Sequence, residues 1–225
     1  MYSIINILIG IFLNVLIIVK KEGDRVNTVE PIRDWDLLLD IEDYLESKRS
    51  KRNYVLFMSG IHLGIRISDI LRLKVSDVRN KEHIYIREEK TGKENSIAIH
   101  EELAEIYNEF TKGKDRNSYL FRDERRRKDG KPRKNKPISR QQVWNILNDI
   151  ADRFEYTDPI GCHTLRKTFG YWMYQTDASN IMTIKDALNH SDLEYTKRYI
   201  GVTKDDKDKM LKSISFRGKC PKKWF

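Results

Sequence analysis

Two short motifs in the C-terminal part of the chain carry side chains that could do chemistry. In the motif HTLR, His163 and Arg166 lie three residues apart, so a helix would present both on one face. Imidazole titrates near neutral pH, whereas guanidinium stays protonated and offers a planar fork of donors. The pair could therefore bind an anionic group and move a proton beside it.

The second motif, LNHSDLEYTKRY, places His190 just before a predicted helix and Tyr199 about two turns inside it. Ser191 is predicted to cap this helix, with Glu194 completing a capping box. Tyr195 lies one turn before Tyr199 and is the alternative reactive tyrosine, but we interpret it as a packing residue.

Two further candidates come earlier in the chain. Arg66 follows a glycine-containing turn in GIRISDILRL, and Lys90 lies in EEKTGKENSIAI, at the tip of a predicted hairpin. Lys93 is the alternative to Lys90. Asp69, three residues after Arg66, is acidic and could form an ion pair with it. Each of these fragments is weak alone, and only the ordered set is specific.

The ordered set resembles the catalytic domain of the tyrosine recombinases of the phage integrase family. The resemblance covers about Val29 to Ile214. It implies an enzyme that cleaves and rejoins DNA through a 3′-phosphotyrosyl intermediate, without metal, ATP or another cofactor. The residues matched to the catalytic positions are Arg66, Lys90, His163, Arg166, His190 and Tyr199.

The resemblance also implies a role for each matched residue. Arg66 and Arg166 would hold the phosphate, because planar guanidinium donors match two phosphate oxygens. The two histidines would donate hydrogen bonds or shuttle a proton. Lys90 would protonate the leaving 5′ oxygen, Tyr199 would attack phosphorus, and Asp69 would support the site. Lys90 and Tyr199 are expected on mobile elements.

Two departures from the family pattern are visible. Asn189 replaces the usual glycine before the histidine, a change that a left-handed helix end tolerates. The helical core-binding domain that normally precedes the catalytic domain has no counterpart here, so tight or site-specific DNA binding by this chain alone is not expected.

The charge of the chain favours an acidic partner. Its net charge is +9 and its pI about 9.4, which points to nucleic acid ahead of a membrane. The family resemblance implies that this partner is double-stranded DNA. Residues 122–136 hold nine basic against three acidic side chains. This basic segment is interpreted either as a DNA contact or as a solvated charge run. Its candidate DNA-binding residues are Arg125, Arg126, Arg127, Lys128, Lys131, Arg133, Lys134 and Lys136.

The periodicity predicts an α+β fold that is mainly helical with a small antiparallel sheet. Helices are predicted around Trp35 to Tyr44, in the run from Tyr54 that ends at Gly60 and Gly64, around Ser68, and after a cap at Ser139. The β signal comes from HIYIRE and NSIAIH, which read as a hairpin around KTGK, and a short strand is predicted at Tyr119-Leu120-Phe121.

Three regions are predicted along the chain: an apolar segment at residues 1–21 of uncertain role, the catalytic domain at 22–215, and a tail at 216–225. The apolar segment is short for a membrane span and lacks the features of a signal peptide. The two cysteines, Cys162 and Cys220, have no partner at metal-ligand spacing. No metal site is therefore predicted, and a reducing cytoplasm fits.

The leading hypothesis is a site-specific recombinase of a mobile element that works in a DNA-bound multimer, a tetrameric synapse, with possible accessory DNA-binding proteins. Two alternatives stay open. One is a catalytically idle DNA-binding remnant of an integrase. The other is a type IB topoisomerase-like enzyme, which uses similar chemistry to relax supercoils.

Overall fold

The computed structural model of the chain describes residues 29–48, 51–90, 92–125, 135–176 and 180–200. These ranges are mostly helical with one two-stranded antiparallel sheet, so the predicted α+β fold is confirmed. The apolar segment at 1–21 and the tail at 216–225 lie outside the described residues. Within the described ranges, no helix combines the length and the apolar character that a membrane span requires.

Four helices form the first part of the fold: α1 (Trp35–Ser47), α2 (Lys51–Leu63), α3 (Ile67–Arg72) and α4 (Val75–Val78). Asp34 caps α1, since its carboxylate accepts from the backbone N–H groups of Asp36 and Leu37 at 3.0 and 3.2 Å. The run predicted to end at Gly60 and Gly64 forms α2, which passes Gly60 and ends at Leu63. The chain then turns at Gly64, whose φ is +60°.

A hairpin follows, as the sequence predicts. Strand β1 (His83–Arg87) pairs antiparallel with β2 (Glu94–Ala98), with His83 opposite Ala98 and Arg87 opposite Glu94. At the tip, the Glu88 N–H donates to the Lys93 carbonyl and the Gly92 N–H donates to the Glu88 carbonyl, both at 2.9 Å. This closed tip carries Lys90.

The strand predicted at Tyr119-Leu120-Phe121 is not present. The segment makes single β-bridges, one between Lys74 and Tyr119 and one between Arg122 and Pro137. Leu120 and Phe121 are buried in the core, which explains the β-like apolar pattern. The two bridges pair with different segments of the chain, one at Lys74 and the other at Pro137, so no ladder forms.

Five helices complete the described part: α5 (Glu101–Thr111), α6 (Arg140–Arg153), α7 (Thr164–Thr176), α8 (Ile181–Ala187) and α9 (Leu193–Ile200). Ser139 caps α6 as predicted, and its hydroxyl accepts from the Gln142 N–H at 3.2 Å. The predicted cap of α9 is off by one residue. Asp192 caps this helix, since its carboxylate accepts from the Glu194 N–H at 3.0 Å.

In the part of the chain that the structure describes, the buried apolar residues form two clusters. The larger cluster lies between α1 to α6 and includes Leu165 of α7. The smaller cluster lies where α7, α8 and α9 meet and consists of Ile184, Leu188, Tyr199 and Ile200, with partly buried neighbours from α7. Tyr199 is thus placed by a local apolar cluster of its own.

Helix α7 connects the two clusters, and it packs closely against α2. A Cβ atom built on Gly60 would lie 2.3 Å from Leu165 Cδ1 and 2.7 Å from Leu165 Cβ. These distances are far below van der Waals contact. The absence of a side chain at Gly60 is therefore what lets the two helices approach.

We expect Gly60→Ala to destabilise the protein by about 1–3 kcal/mol, because the added methyl group forces α2 and α7 apart. Urea unfolding followed by circular dichroism measures the change. Combining it with Leu165→Ala serves as the control, since the smaller side chain makes room for the methyl group. The double variant should lose less stability than the sum of the two single variants, and a simple sum would contradict the packing explanation.

Candidate functional site

An open cavity of about 470 Å³ brings together side chains from separate parts of the chain. All six residues that the sequence predicts as catalytic line it, including Lys90 at the exposed hairpin tip. Lys93 lies outside this lining. The residues around the cavity are Arg66, Ile67, Ser68, Glu89, Lys90, Arg140, His163, Arg166, His190, Tyr195 and Tyr199.

Arg66 enters the cavity from the start of α3, directly after the left-handed turn at Gly64. Its guanidinium donates to Glu88 Oε2 rather than to Asp69. The Glu88 side chain is almost fully buried. Glu88 was not predicted as a site residue, because a carboxylate beside a hairpin lysine gives no signal of its own.

The Asp69 carboxylate contacts the hairpin tip and forms no ion pair with Arg66, the partner that the sequence suggests. Its Oδ1 accepts from the Glu89 N–H at 3.0 Å, and Arg72 lies 3.8 Å away. The carboxylate is buried. Asp69 therefore anchors the hairpin tip that carries Lys90, and it does so through the backbone.

His163 and Arg166 lie at the start of α7. The His163 carbonyl accepts from the Lys167 N–H at 2.9 Å, so His163 occupies the residue before the first helical position. Arg166 is buried, and its guanidinium donates to the Leu188 carbonyl. This bond ties α7 to the corner between α8 and α9.

His190 lies at that corner, after Asn189 with a φ of +47°. Its Nδ1 is 3.0 Å from Thr196 Oγ1, and the Thr196 hydroxyl donates to the Asp192 carbonyl at 3.2 Å. Because that hydroxyl has one proton, it accepts from His190 Nδ1–H. In the neutral ring, Nε2 therefore carries the lone pair.

Tyr199 is 7% exposed and packs its ring edgewise against His190, with centroids 4.9 Å apart. The Arg166 guanidinium carbon is 5.9 Å from the Tyr199 ring centroid. Within the described part of the chain, the buried Tyr199 hydroxyl has no hydrogen bond of good geometry. Arg166 acts on it as a nearby donor, and Lys167 Nζ lies 5.5 Å from the centroid of the same ring. Tyr195 is 54% exposed at the cavity edge, so it is less buried than its predicted packing role implies.

The profile described as the phage integrase family matches residues 34–206 of the chain. The chain belongs to the phage integrase family. The match includes all six cavity residues that the sequence singles out, so the resemblance drawn from the ordered motifs is confirmed.

Curated relatives of this phage integrase family member are named as integrases or recombinases. The chain is 43% identical over 180 residues to the probable integrase/recombinase YoeC of Bacillus subtilis, covering 80% of this chain and 93% of that protein. It is 31% identical over 155 residues to the tyrosine recombinase XerA of Thermococcus onnurineus, covering 68% of this chain and 52% of that protein. The chain thus spans about half the length of the XerA relative.

Solved structures share the fold. The crystal structure of XerA recombinase superposes with a TM-score of 0.60 at 18% identity, covering 86% of this chain and 68% of that one. The catalytic domain of bacteriophage HP1 integrase superposes with a TM-score of 0.55 at 19% identity, covering 83% and 95%. The described helices and hairpin therefore form an integrase-type catalytic fold.

The basic segment is described only at its ends. Arg125 donates to both carboxylate oxygens of buried Asp123 at 2.9 Å, and also to Gln142 of α6 at 3.0 Å. The Lys136 carbonyl accepts from the Asp123 N–H, and its side chain is exposed. The other candidates, Arg126, Arg127, Lys128, Lys131, Arg133 and Lys134, lie outside the described residues.

Arg140 is a second residue near the candidate site that the motifs did not reveal. It is the first residue of α6, directly after the Ser139 cap, and it lines the cavity. It also lowers the pKa of His163. The Ser139 cap predicts that Arg140 begins a helix, but the sequence does not predict that this helix points its first residue into the cavity.

Burial and neighbouring charges in the cavity shift the pKa values of His163, His190 and Tyr199. Partial burial, followed by Arg166 and Arg140, lowers the pKa of His163. Burial and Arg166 lower the pKa of His190 to about 4. Burial raises the pKa of Tyr199 to about 12, against the opposing effect of Arg166. At neutral pH both imidazoles are therefore uncharged and Tyr199 keeps its proton.

Acidification should destabilise the protein partly through His190. Its pKa is about 4 in the folded chain and about 6.5 in an unfolded chain, so the unfolded state binds more protons between these values. The stabilising contribution is complete above about pH 6.5 and is lost as pH falls toward 4. From about pH 7 to about pH 5 we expect a loss of about 1–2 kcal/mol from this group.

Urea unfolding at a series of pH values measures this effect. The matched variant is His190→Asn, whose amide can still donate to Thr196 but does not titrate. Its unfolding free energy should fall less on acidification, by the amount assigned to His190. Equal pH dependence in the two proteins would contradict the low pKa of His190.

Proposed function

We propose that this protein is a site-specific recombinase that cleaves and rejoins DNA, with Tyr199 as the attacking group. The observation that carries the proposal is the Tyr199 hydroxyl: it is buried, has no well-formed hydrogen bond among the described residues, and lies in a cavity lined by cations. A buried polar group that lacks a hydrogen bond of good geometry calls for an explanation. A hydroxyl that attacks a bound phosphate provides one.

The cavity suits a phosphodiester. A phosphate is anionic, and cleavage places more negative charge on its nonbridging oxygens, so preorganised cations stabilise the transition state. Arg66 and Arg166 present planar donors that match two oxygens at once. Arg140 adds a third guanidinium to the same cavity. Because these three residues supply the positive charge, the proposed reaction proceeds without metal or ATP.

Proton transfers are assigned to the remaining cavity residues. His163 and His190 are both neutral before DNA binds, so either can accept a hydrogen bond from, or take the proton of, Tyr199. A bound phosphate brings negative charge close to both rings, which raises their pKa values and favours the charged, donating form. Lys90 at the hairpin tip would protonate the leaving 5′ oxygen. The product is a 3′-phosphotyrosyl link, which conserves the energy of the broken bond for rejoining.

The named relatives support a DNA substrate. The fold neighbours include XerH site-specific recombinase bound to difH substrate and the Tn1549 transposon integrase in complex with circular intermediate DNA. Work on a mobile element, a tetrameric synapse, accessory proteins and a cytoplasmic location remain predictions for this chain. The presence of every catalytic candidate in one cavity favours an active enzyme over the idle DNA-binding remnant.

On a nicked substrate that traps the cleaved state, the protein should form a covalent DNA adduct that survives denaturant. Tyr199→Phe should abolish the adduct and keep DNA affinity, because only the attacking oxygen is removed. Denaturing gel electrophoresis measures the adduct and gel shift measures binding. Tyr195→Phe is the matched control and should still form adduct.

Chelator should leave the yield of this adduct intact. Adduct from the Tyr199→Phe protein would reassign the attacking group, and no adduct from the wild-type protein on a recognised site would favour the idle remnant. Relaxation of supercoiled plasmid without strand exchange would favour the topoisomerase-like alternative.

Replacing Arg125, Arg126, Arg127 and Lys128 by glutamine should flatten the salt dependence of DNA binding. For every phosphate that the variant no longer neutralises, the slope of log affinity against log salt should become shallower by about 0.9. Arg125 should contribute least, since Asp123 already pairs with it. Fluorescence anisotropy over a salt series measures the slope, with exposed Lys112→Gln as the control. An unchanged slope would assign the segment to solvent.

A further inference from the structure

The Glu88 carboxylate connects three parts of the cavity wall. Oε2 accepts from Arg66 at the start of α3, and Oε1 accepts from Asn189 Nδ2 at 2.8 Å, at the corner between α8 and α9. The Glu88 backbone closes the hairpin tip that carries Lys90. One buried residue therefore contacts the elements that bear Arg66, Lys90 and His190.

The chemistry of this contact requires a carboxylate. Arg66 and Asn189 both approach with N–H donors, so both Glu88 oxygens serve as acceptors. An ionised carboxylate offers two acceptor oxygens and no donor, whereas glutamine would turn one N–H toward another N–H. A buried donor left facing a donor costs the full desolvation of that group. Glu88 therefore cannot be replaced by its neutral isostere without disturbing one of the two contacts.

Asn189 contributes both backbone and side chain. Its φ of +47° makes the left-handed turn between α8 and α9, which glycine would make as easily. The side chain adds the bond to Glu88, which glycine cannot make. His190 follows Asn189 directly, and Tyr199 lies in the next helix. The position of Asn189 therefore determines where both side chains lie in the cavity.

We propose that Glu88 and Asn189 are positioning residues, which hold the half of the site bearing His190 and Tyr199 in register with the half bearing Arg66 and Lys90. Neither side chain lines the cavity, so both act through the residues they hold. The inference rests on the proposed DNA cleavage for its effect on activity, but the contact itself can be tested separately.

The first test separates positioning from binding. Single-turnover adduct formation should slow by about 10- to 100-fold in Asn189→Gly and in Glu88→Gln, because small displacements of reacting groups reduce rates steeply. Affinity for the same DNA should stay within about twofold. Asn80→Gly is the matched control, since Asn80 also has a left-handed φ, +55°, and lies outside the cavity lining. Adduct formation by Asn189→Gly at the wild-type rate would overturn the proposal.

A pH series adds a readout that a purely structural role would not change. Asn189→Asp places a second carboxylate beside Glu88, in surroundings that also include Arg66, Arg166 and His190. As pH falls, one of the two neighbouring carboxyl groups takes up a proton. The protonated group can then donate a hydrogen bond to the other, as the Asn189 amide donates to Glu88 in the wild-type protein. The rate of this variant relative to wild type should therefore rise on acidification, whereas that of Asn189→Gly should not. Parallel pH profiles for the two variants would count against the contact.

The second test does not depend on DNA cleavage. A double-mutant cycle of Glu88→Ala, which removes both acceptor oxygens, and Asn189→Gly, measured by urea unfolding, should show coupling of at least about twofold in the unfolding equilibrium constant. Coupling in a protein that forms no adduct would sustain the contact and reject the proposed function. Strictly independent effects would overturn the contact, whatever the activity.

Discussion

Repulsion among like charges is the constraint that the rest of this site has to meet. Arg66, Lys90, Arg140 and Arg166 line one cavity, and two unit charges 4 Å apart interact with about 4 kcal/mol at an effective dielectric constant of about 20. Buried Glu88 holds one of these cations, and the Leu188 carbonyl holds another at the end of α8, where the helix dipole is negative. The cationic surface of the cavity is thus held by contacts within the protein itself.

The same charges determine which proton transfers are available. Burial lowers the pKa values of His163 and His190, and the cations that would bind phosphate lower them further because they disfavour imidazolium. Tyr199 has a raised pKa because burial outweighs Arg166. In the proposed reaction, an arriving phosphate would change both conditions together, because its charge favours imidazolium and its phosphorus offers the tyrosine oxygen an electrophile. In that proposal, substrate binding and activation would both depend on the charges that line the cavity.

The sequence predicted those features that depend on local rules. Periodicity and capping identified α1, α6 and the hairpin, and ordered motifs identified all six catalytic candidates, although their roles remain predictions. Glu88 and Arg140 were missed because their importance comes from tertiary placement, which a single sequence does not encode in local spacing. The strand predicted at Tyr119 to Phe121 is wrong because an apolar run has the same sequence pattern whether it is buried in a loop or in a strand.

The division of the interior into two apolar clusters has a consequence for motion. Among the described residues, the larger cluster takes buried side chains from α1 to α6, whereas the cluster that holds Tyr199 contains four buried residues. Regions with few buried contacts open at lower free energy than the whole protein unfolds. Backbone amides in α9 should therefore exchange with solvent deuterium before those in α2, and the helix that carries Tyr199 can open while α1 to α6 stay folded.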